Sequence, residues 1–502
     1  MPKSKDSRCL LRVWKHAPKD ATPMCLYNIF MSKLKIDLLL REEPGANEEI
    51  GLNERKASKT QYHIDEKLLQ VFLGKKKDLS IKKIREILSK ADWKNISETE
   101  VEININDLDA ESVEAAYEII VLKSFIFDKY KSDAGARQVQ VKKVSFKPSK
   151  PKDFDYEYRS KVIDAIKFCR DIVSSNASTI NPGQMQKFAE NLAKEHPVIT
   201  VKSIDAQEAK KLNMECLLAV GAESLKNSSP SFHPRIVELS FQGAKYKNSK
   251  KDKHIALVGK GITYDTGGLC LKPTQYMLDM KSDMTGAATV LSVFSALPNI
   301  AKYLPDNIKI TGIMALSENA FGASSYKPGD VLRAMNGTTV EVVDTDAEGR
   351  LVLADALSYM SALKDQPNYC IDLATLTGSI VASLGEIAAG AMTNNDEFKD
   401  QVINAFRKEG ENLWHMPLFS EYKTLLDSSI ADIKHCNTRP DALCAGIFLK
   451  EFVHKNIKWL HLDIAGVGFI EEDGLWAYKG ATGFGIKGLL KLLKDLGVPP
   501  NP

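Results

Sequence analysis

The sequence predicts an α/β protein in two parts. A small N-terminal α/β domain occupies residues 1–150, and a larger C-terminal one, 151–502, is built on a mixed, largely parallel sheet covered by helices. Three observations predict it. His254–Gly259 and Ile308–Leu316 are near-continuous apolar runs, the pattern of parallel strands buried on both faces. Segments with apolar residues at three- and four-residue steps alternate with such runs, as βαβ units require. Between Gln138 and Lys152 the chain turns basic and gains Pro148 and Pro151, which reads as a linker.

The elements follow in order. Met24–Leu40 reads as a half-buried strand because Lys33, Lys35 and Asp37 alternate with apolar residues, and Val101–Ile105 alternates likewise. Ile81–Leu88 and Ala110–Tyr130 carry helical spacing. After the linker an amphipathic helix is expected over Tyr156–Ser174, then a turn at Asn181-Pro182-Gly183 and a helix over Gln184–Lys194. Asp283–Leu297, Gly349–Leu363 and the Gly480–Leu493 region read as helical; Val340–Val343, Cys370–Leu373 and Trp459–Ile464 read as strands.

With 502 residues, 44% hydrophobic and 26% charged, the composition is that of a globular protein with more than one core. A net charge of +3 requires no acidic partner. The charge is uneven: residues 1–150 hold 29 basic against 23 acidic side chains, and the remainder 39 against 42. Lys75–Lys77 and the lysines between 142 and 152 lack the interleaved aromatics of a nucleic-acid footprint, so nucleic acid is not an expected partner. Eight cysteines without a CxxC pair point to reduced thiols and a cytoplasmic location. No apolar run reaches the roughly 18–20 residues of a membrane span, so no membrane is expected. The charge-broken start lacks the apolar core of a signal peptide.

Three segments hold chemistry. The first, VGKGITYDTGGLCLKP, contains Lys260, Asp265 and Lys272 and begins where a buried strand is expected to end, the place where open α/β sheets bind ligands. The second carries Met280 and Asp283 at the entry to a helix, and the third is DTDAEGR, Asp344 to Arg350. Taken singly, each has a plainer reading: a hairpin turn with surface lysines, a helix cap at Asp283, a polar turn before a helix. Together, Asp265, Asp283, Asp346 and Glu348 carry about the charge that two divalent cations neutralise. Lys260, Lys272 and Arg350 remain to polarise a carbonyl and hold an anion. The reaction class is metal-assisted attack of water on an acyl or phosphoryl centre.

In order and spacing these segments resemble the leucine aminopeptidase family of dinuclear metallopeptidases. Its signature NTDAEGRL is matched at every position but the first, from Thr345 to Leu351. The upstream VGKG, D(S/T)GG, KP and DM elements are present, as are DLATLTG at Asp372–Gly378 and LDIAG from Leu462. The resemblance covers about residues 155–495 and is faint before them.

The resemblance implies a cytoplasmic homohexamer that releases N-terminal residues from peptides with a free α-amine, leucine-like ones preferred. It implies that Asp265 and Glu348 bridge two divalent ions (Zn²⁺ or Mn²⁺, with Mg²⁺ or Co²⁺ as alternatives). Asp346 would complete one metal site, and Lys260 and Asp283 the other, with Asp283 also on the substrate side. Lys272 would bind substrate and stabilise the oxyanion, and Arg350 would hold a bicarbonate that serves as base. Met280, Thr375, Gly378 and Ala465 would line the pocket for the first side chain. The chain departs from the family at Asp344 (usually Asn), at Thr285 (usually Gly), and between Asn437 and Leu443, where Thr-Arg-Pro-Asp-Ala-Leu replaces a Gly-rich segment. A dinuclear phosphoesterase is the competing enzyme class; the Thr375–Gly378 segment and the lack of metal-ligating histidine patterns argue against it. A nucleic-acid-binding or scaffolding role rests only on the basic N-terminal part.

Overall fold

The computed structural model describes residues 149–474 and 477–496 without interruption, and shorter segments between 34 and 147. The expected strand residues 24–33, the run Lys75–Lys77 and two cysteines, Cys9 and Cys25, lie outside the described residues. The chain divides into two compact units, Met1–Phe154 and Asp155–Pro502.

In the first unit, strands β1 (Leu34–Leu39), β2 (Glu54–Ala57), β3 (Thr60–His63), β4 (Leu68–Phe72), β5 (Glu100–Asn104) and β6 (Lys143–Lys147) form one sheet in the order β2-β3-β4-β1-β5-β6. β1 runs parallel to β4 and β5, and β5 runs parallel to β6. Helices α1 (Ile81–Ser89) and α2 (Ala110–Lys123) begin on side-chain caps from Ser80 and Asp109. α2 stops short of the expected Tyr130, where the Ser124 hydroxyl turns back to donate to Val121 O at 2.8 Å. β6 lies inside the stretch read as a linker. There Val144 and Phe146 alternate with lysines, and the Phe146 ring meets Tyr117 and Phe154 edge-on.

The second unit is a three-layer α/β/α sandwich. α3 (Tyr156–Ser174) and α4 (Pro182–Glu195) start on Asp155 and Asn181 caps, and Pro182 takes the first helical position, where its missing N–H costs nothing. The sheet comprises β7 (Ile199–Ile204), β8 (Arg235–Gln242), β9 (Lys253–Asp265), β10 (Ile308–Asn319), β13 (Tyr369–Ala374), β14 (Ala388–Thr393), β15 (Asn412–His415) and β17 (Lys458–Asp463). Their order is β15-β14-β17-β13-β9-β10-β8-β7. The central four, β17, β13, β9 and β10, are parallel, and β8 and β14 flank them antiparallel. A small sheet, β11 (Val331–Arg333), β12 (Thr339–Glu341) and β16 (Ile433–Lys434), precedes the Asp344 loop.

Helix α5 (Glu215–Val220) and helix α6 (Thr285–Ile300) pack on opposite faces of this sheet. α6 lies with α3 on one face; α7 (Glu348–Ser361) covers β9 and β10 from the other, against α5. The remaining helices are α8 (Gly378–Leu384), α9 (Asp396–Lys408), α10 (Asp441–Lys450) and α11 (Ile486–Asp495). α6 approaches β13 so closely that a Cβ on Gly286 would fall 2.1 Å from Leu373 O. Thr274–Tyr303 is one apolar helical stretch of membrane-spanning length, longer than the sequence pattern suggests because short turns run into α6. Most of it is buried inside the unit as a core helix.

β9 and β10 run on beyond the apolar stretches that predict them. β9 stays buried through its glycines, with Lys260 paired in register with Ala315. Lys260 therefore lies within the strand and Asp265 ends it, whereas the sequence places the whole segment after the strand.

Candidate active site

The site forms at the carboxyl ends of β9, β10, β13 and β17, where a parallel sheet leaves its loops free to converge. β9 delivers Lys260 and Asp265, and the turn after it delivers Lys272. Asp283 closes the 3₁₀ turn begun by Met280, and it does not cap α6: the cap residue is Met284, without a side-chain bond. Its carboxylate is spent elsewhere. Lys260 Nζ lies 2.8 Å from Asp283 Oδ1, 2.9 Å from Glu348 Oε1 and 2.9 Å from Thr375 O, so each of its three donors faces an acceptor. Thr375 Oγ1 donates to Asp283 Oδ1 at 2.7 Å. Lys272 Nζ sits 2.9 Å from Asp265 Oδ2 and 2.5 Å from Asp346 Oδ1. Two ammonium groups thus tie together four carboxylates from three segments of the chain.

The electrostatics show what this cluster lacks. Burial, then the nearby Glu348 charge, pushes Asp265 up to about 7 against the pull of Lys272 and Lys260. Burial likewise raises Asp283 and Asp346. For both lysines burial works against the charge, but the surrounding carboxylates outweigh it and hold their pKa above the ordinary value. Four acids, three of them buried and Asp346 half-buried, share two cations, a shortfall of positive charge. Asp283 Oδ2 and Glu348 Oε2 are buried without a hydrogen-bond partner, and ligand oxygens of Asp265, Asp283 and Glu348 lie within 4.8 Å of one another. Oxygen donors at this spacing, short of positive charge, fit divalent cations.

Other residues hold the ligands in place. Asn319, at the end of β10, donates from Nδ2 to Asp265 Oδ1 at 2.8 Å and to Thr345 O at 2.9 Å. Thr345 is pinned by Tyr326 Oη on its carbonyl and by its own hydroxyl on Gly267 O. Asp344 Oδ1 accepts from Asp346 N at 2.9 Å, a local turn that aims the loop. His435 Nε2 lies 2.8 Å from Asp344 O, and its Nδ1 lies 3.2 Å from Val343 N and 3.1 Å from Glu341 O, so the ring is held from both sides. Burial and the Arg350 charge push its pKa down to about 4, so it stays neutral. Asn319 and His435 carry no motif in the sequence; they act across loops, on partners distant in the chain.

Arg350 bonds to partners outside the carboxylate cluster, while the Glu348 charge still helps to hold its pKa up. Its Nη1 donates to His435 O at 3.2 Å and its Nη2 to Asp441 Oδ1 at 2.9 Å. Gly378 and Ala465 are brought near one another through Asp463, whose Oδ1 accepts from Leu376 N and Ala465 N and whose Oδ2 accepts from Thr377 Oγ1. Met280 is joined to this group by no hydrogen bond; its place is fixed by the turn that ends at Asp283.

Residues 167–490 match the model of the cytosol aminopeptidase family, catalytic domain. The chain belongs to that family. A probable cytosol aminopeptidase of Protochlamydia amoebophila is 37% identical over 404 residues, covering 80% of this chain and 78% of the relative. That of Chlamydia trachomatis serovar D is 42% identical over 349 residues, 69% of this chain and 67% of the relative. Among solved structures, the bottromycin maturation enzyme BotP in complex with Mn is similar at TM-score 0.78 and 26% identity, over 93% of this chain and all of that one. A tomato leucine aminopeptidase mutant reaches TM-score 0.74 and 31% identity, over 88% of this chain and 83% of that one. As a member of that family, the chain is a metal-dependent aminopeptidase.

Proposed function

We propose that this enzyme removes leucine-like residues from peptides with a free α-amine, at a site of two divalent ions within the second unit. The observation that carries the reading is the cluster of four carboxylates, three of them buried, held by only two lysines, with two of its oxygens unpartnered. Asp265 and Glu348 would bridge the ions, Asp346 would serve one, and Asp283 with Lys260 the other. A lysine ligates only through its lone pair, so Lys260 would have to give up its proton to a neighbour as a cation takes over its carboxylate partners. Bound there, the ions supply Lewis acidity and lower the pKa of a water between them. Manganese is supported by the BotP structure, and zinc, magnesium and cobalt suit the same oxygen donors.

Lys272 is kept protonated by Asp265, Glu348 and Asp346, so its role is to donate to the oxyanion that develops on the scissile carbonyl. Met280, Thr375, Gly378 and Ala465 would accept the first side chain. None of them is charged, and Thr375 has its hydroxyl engaged by Asp283, which leaves an apolar surface for leucine. The family resemblance further supports a cytoplasmic homohexamer; exposed Leu271, Tyr276 and Leu278 after β9 offer apolar surface for such contacts. The bicarbonate expected at Arg350 fits poorly. Asp441 already neutralises that guanidinium, and a second anion would stand beside a carboxylate in a buried place.

The test is hydrolysis of a fluorogenic leucine amide before chelation, after it, and after Mn²⁺ or Zn²⁺ is restored. Loss and recovery support the reading. Retained activity after complete metal removal, or stoichiometric metal uptake without hydrolysis, overturns it.

A further inference from the structure

Arg350 is the starting point. Its side chain is 3% exposed, and a buried guanidinium demands an anion. Asp441, first residue of α10, supplies one through Oδ1 at 2.9 Å. His435 O takes another donor, and Nε is left buried without an acceptor. Asp441 itself is a quarter exposed, so its carboxylate spans the gap between the buried arginine and solvent. Among the described residues its Oδ2 accepts no hydrogen bond, which leaves one oxygen for other work. The anchoring is firm: the next residue, Ala442, donates its N–H to Ser379 Oγ at 2.9 Å, which ties the start of α10 to the start of α8 beside Gly378. The carboxylate thus stands between Arg350, two residues from Glu348, and the loop that carries the proposed substrate pocket.

We propose that Asp441 is the resident anion of Arg350, a carboxylate built into the chain in the place where a dissolved bicarbonate would otherwise be needed. This rests on the hydrolytic reading given above. In that reaction the water adds to the carbonyl carbon and forms the new C–O bond. Its proton passes to the free oxygen of Asp441 and from there to the amine nitrogen as the C–N bond breaks. One water is consumed and Asp441 is returned unprotonated. Arg350 holds the carboxylate in place by a charge-assisted bond throughout.

The experiment compares the holoenzyme with its Asp441→Gly and Asp441→Asn variants in carbon-dioxide-free buffer, with bicarbonate added back. Two readouts are followed: leucine-amide hydrolysis, and binding of ¹³C-labelled bicarbonate by NMR. The wild-type rate is expected to be flat in bicarbonate and its label unbound. Asp441→Gly is expected to lose on the order of 10²-fold in kcat, to bind the label, and to recover much of the rate saturably. Asp441→Asn fills the same space without the charge; it is expected to stay slow and to be rescued poorly. A wild-type enzyme that binds bicarbonate and is accelerated by it overturns the proposal, as does an Asp441→Gly variant that keeps its full rate without bicarbonate. If Asp441→Gly does not fold, an Asp441→Asn variant with wild-type kcat overturns it alone. If the protein hydrolyses no amide at all, the hydrolytic reading fails, while label binding by wild type and variant still decides who occupies Arg350.

Discussion

Asn319 joins Gly267 N in fixing Asp265 Oδ1, and it alone of the two also reaches Thr345 O. Its amide spans β10 and the Asp344 loop and fixes one carboxylate oxygen from behind, leaving the other for Lys272 or a cation. Removing such a support costs metal sites about 10–100-fold in affinity. Asn319→Ala is therefore expected to weaken metal binding by that factor in a competition titration with a chelating dye, with the fold intact by circular dichroism; unchanged affinity would contradict the role. Lys272→Ala is expected to lower kcat by about 10²–10³ with a much smaller change in KM, read from steady-state rates at saturating metal. The acidic and cationic residues of the cluster were legible in the sequence because they sit in contiguous segments with recognisable order. Asn319, His435 and Asp441 were not: each works across space on a partner 26 to 94 positions away. Only the departure from the Gly-rich pattern around Asp441 hinted that something there had changed.

At the scale of elements, helix α7 and strand β9 meet at Gly349. A Cβ there would lie 2.6 Å from Lys260 Cε and Nζ, and that lysine cannot swing aside because three acceptors hold it. Gly349→Ala should gain about 1 kcal/mol in helix propensity. It should lose on the order of 10²-fold in kcat through the displaced lysine. Thermal melting and kinetics on the same sample check both halves; a large fall in melting temperature would mean that the clash spreads beyond the site. Element type was readable for the central strands β9, β10, β13 and β17 and for helices α3, α4, α6, α7 and α11, because buried strands and helices repeat with different periods. Element length was less so. β9 runs through Gly259 and Gly261, residues that read as loop by composition, because α6 and β10 press on it too closely for any side chain. The lysine-rich stretch expected to be a linker holds β6, because Val144 and Phe146 alternate with polar residues and Phe146 packs on Tyr117 and Phe154.

The molecule as a whole carries a pH dependence that can be signed. His254 is buried with Nε2 on Thr311 Oγ1 at 2.8 Å, and burial pushes its pKa down to about 4 despite Asp365. In the unfolded chain the imidazole protonates near its ordinary 6.5, so the unfolded state takes up a proton first. The stability is fully present above about 6.5 and lost as pH falls toward about 4, a contribution of about 3 kcal/mol. Urea denaturation at stepped pH should show that slope, and His254→Asn should flatten it; a variant with the wild-type slope would refute the assignment. His435 acts in the same direction. Divalent metal should raise the melting temperature and chelation lower it, since ions bind the folded site alone. The order of the strands has a further consequence. β17, the last long strand, enters between β13 and β14, so β14 and β15 have no place in the sheet until residues 458–463 have been made. During synthesis the sheet stays split until those residues leave the ribosome. A chain still being translated lacks Asp463 until then, the carboxylate that holds Leu376 N, Thr377 Oγ1 and Ala465 N, so the segments proposed to line the pocket stay unfixed until that strand has emerged.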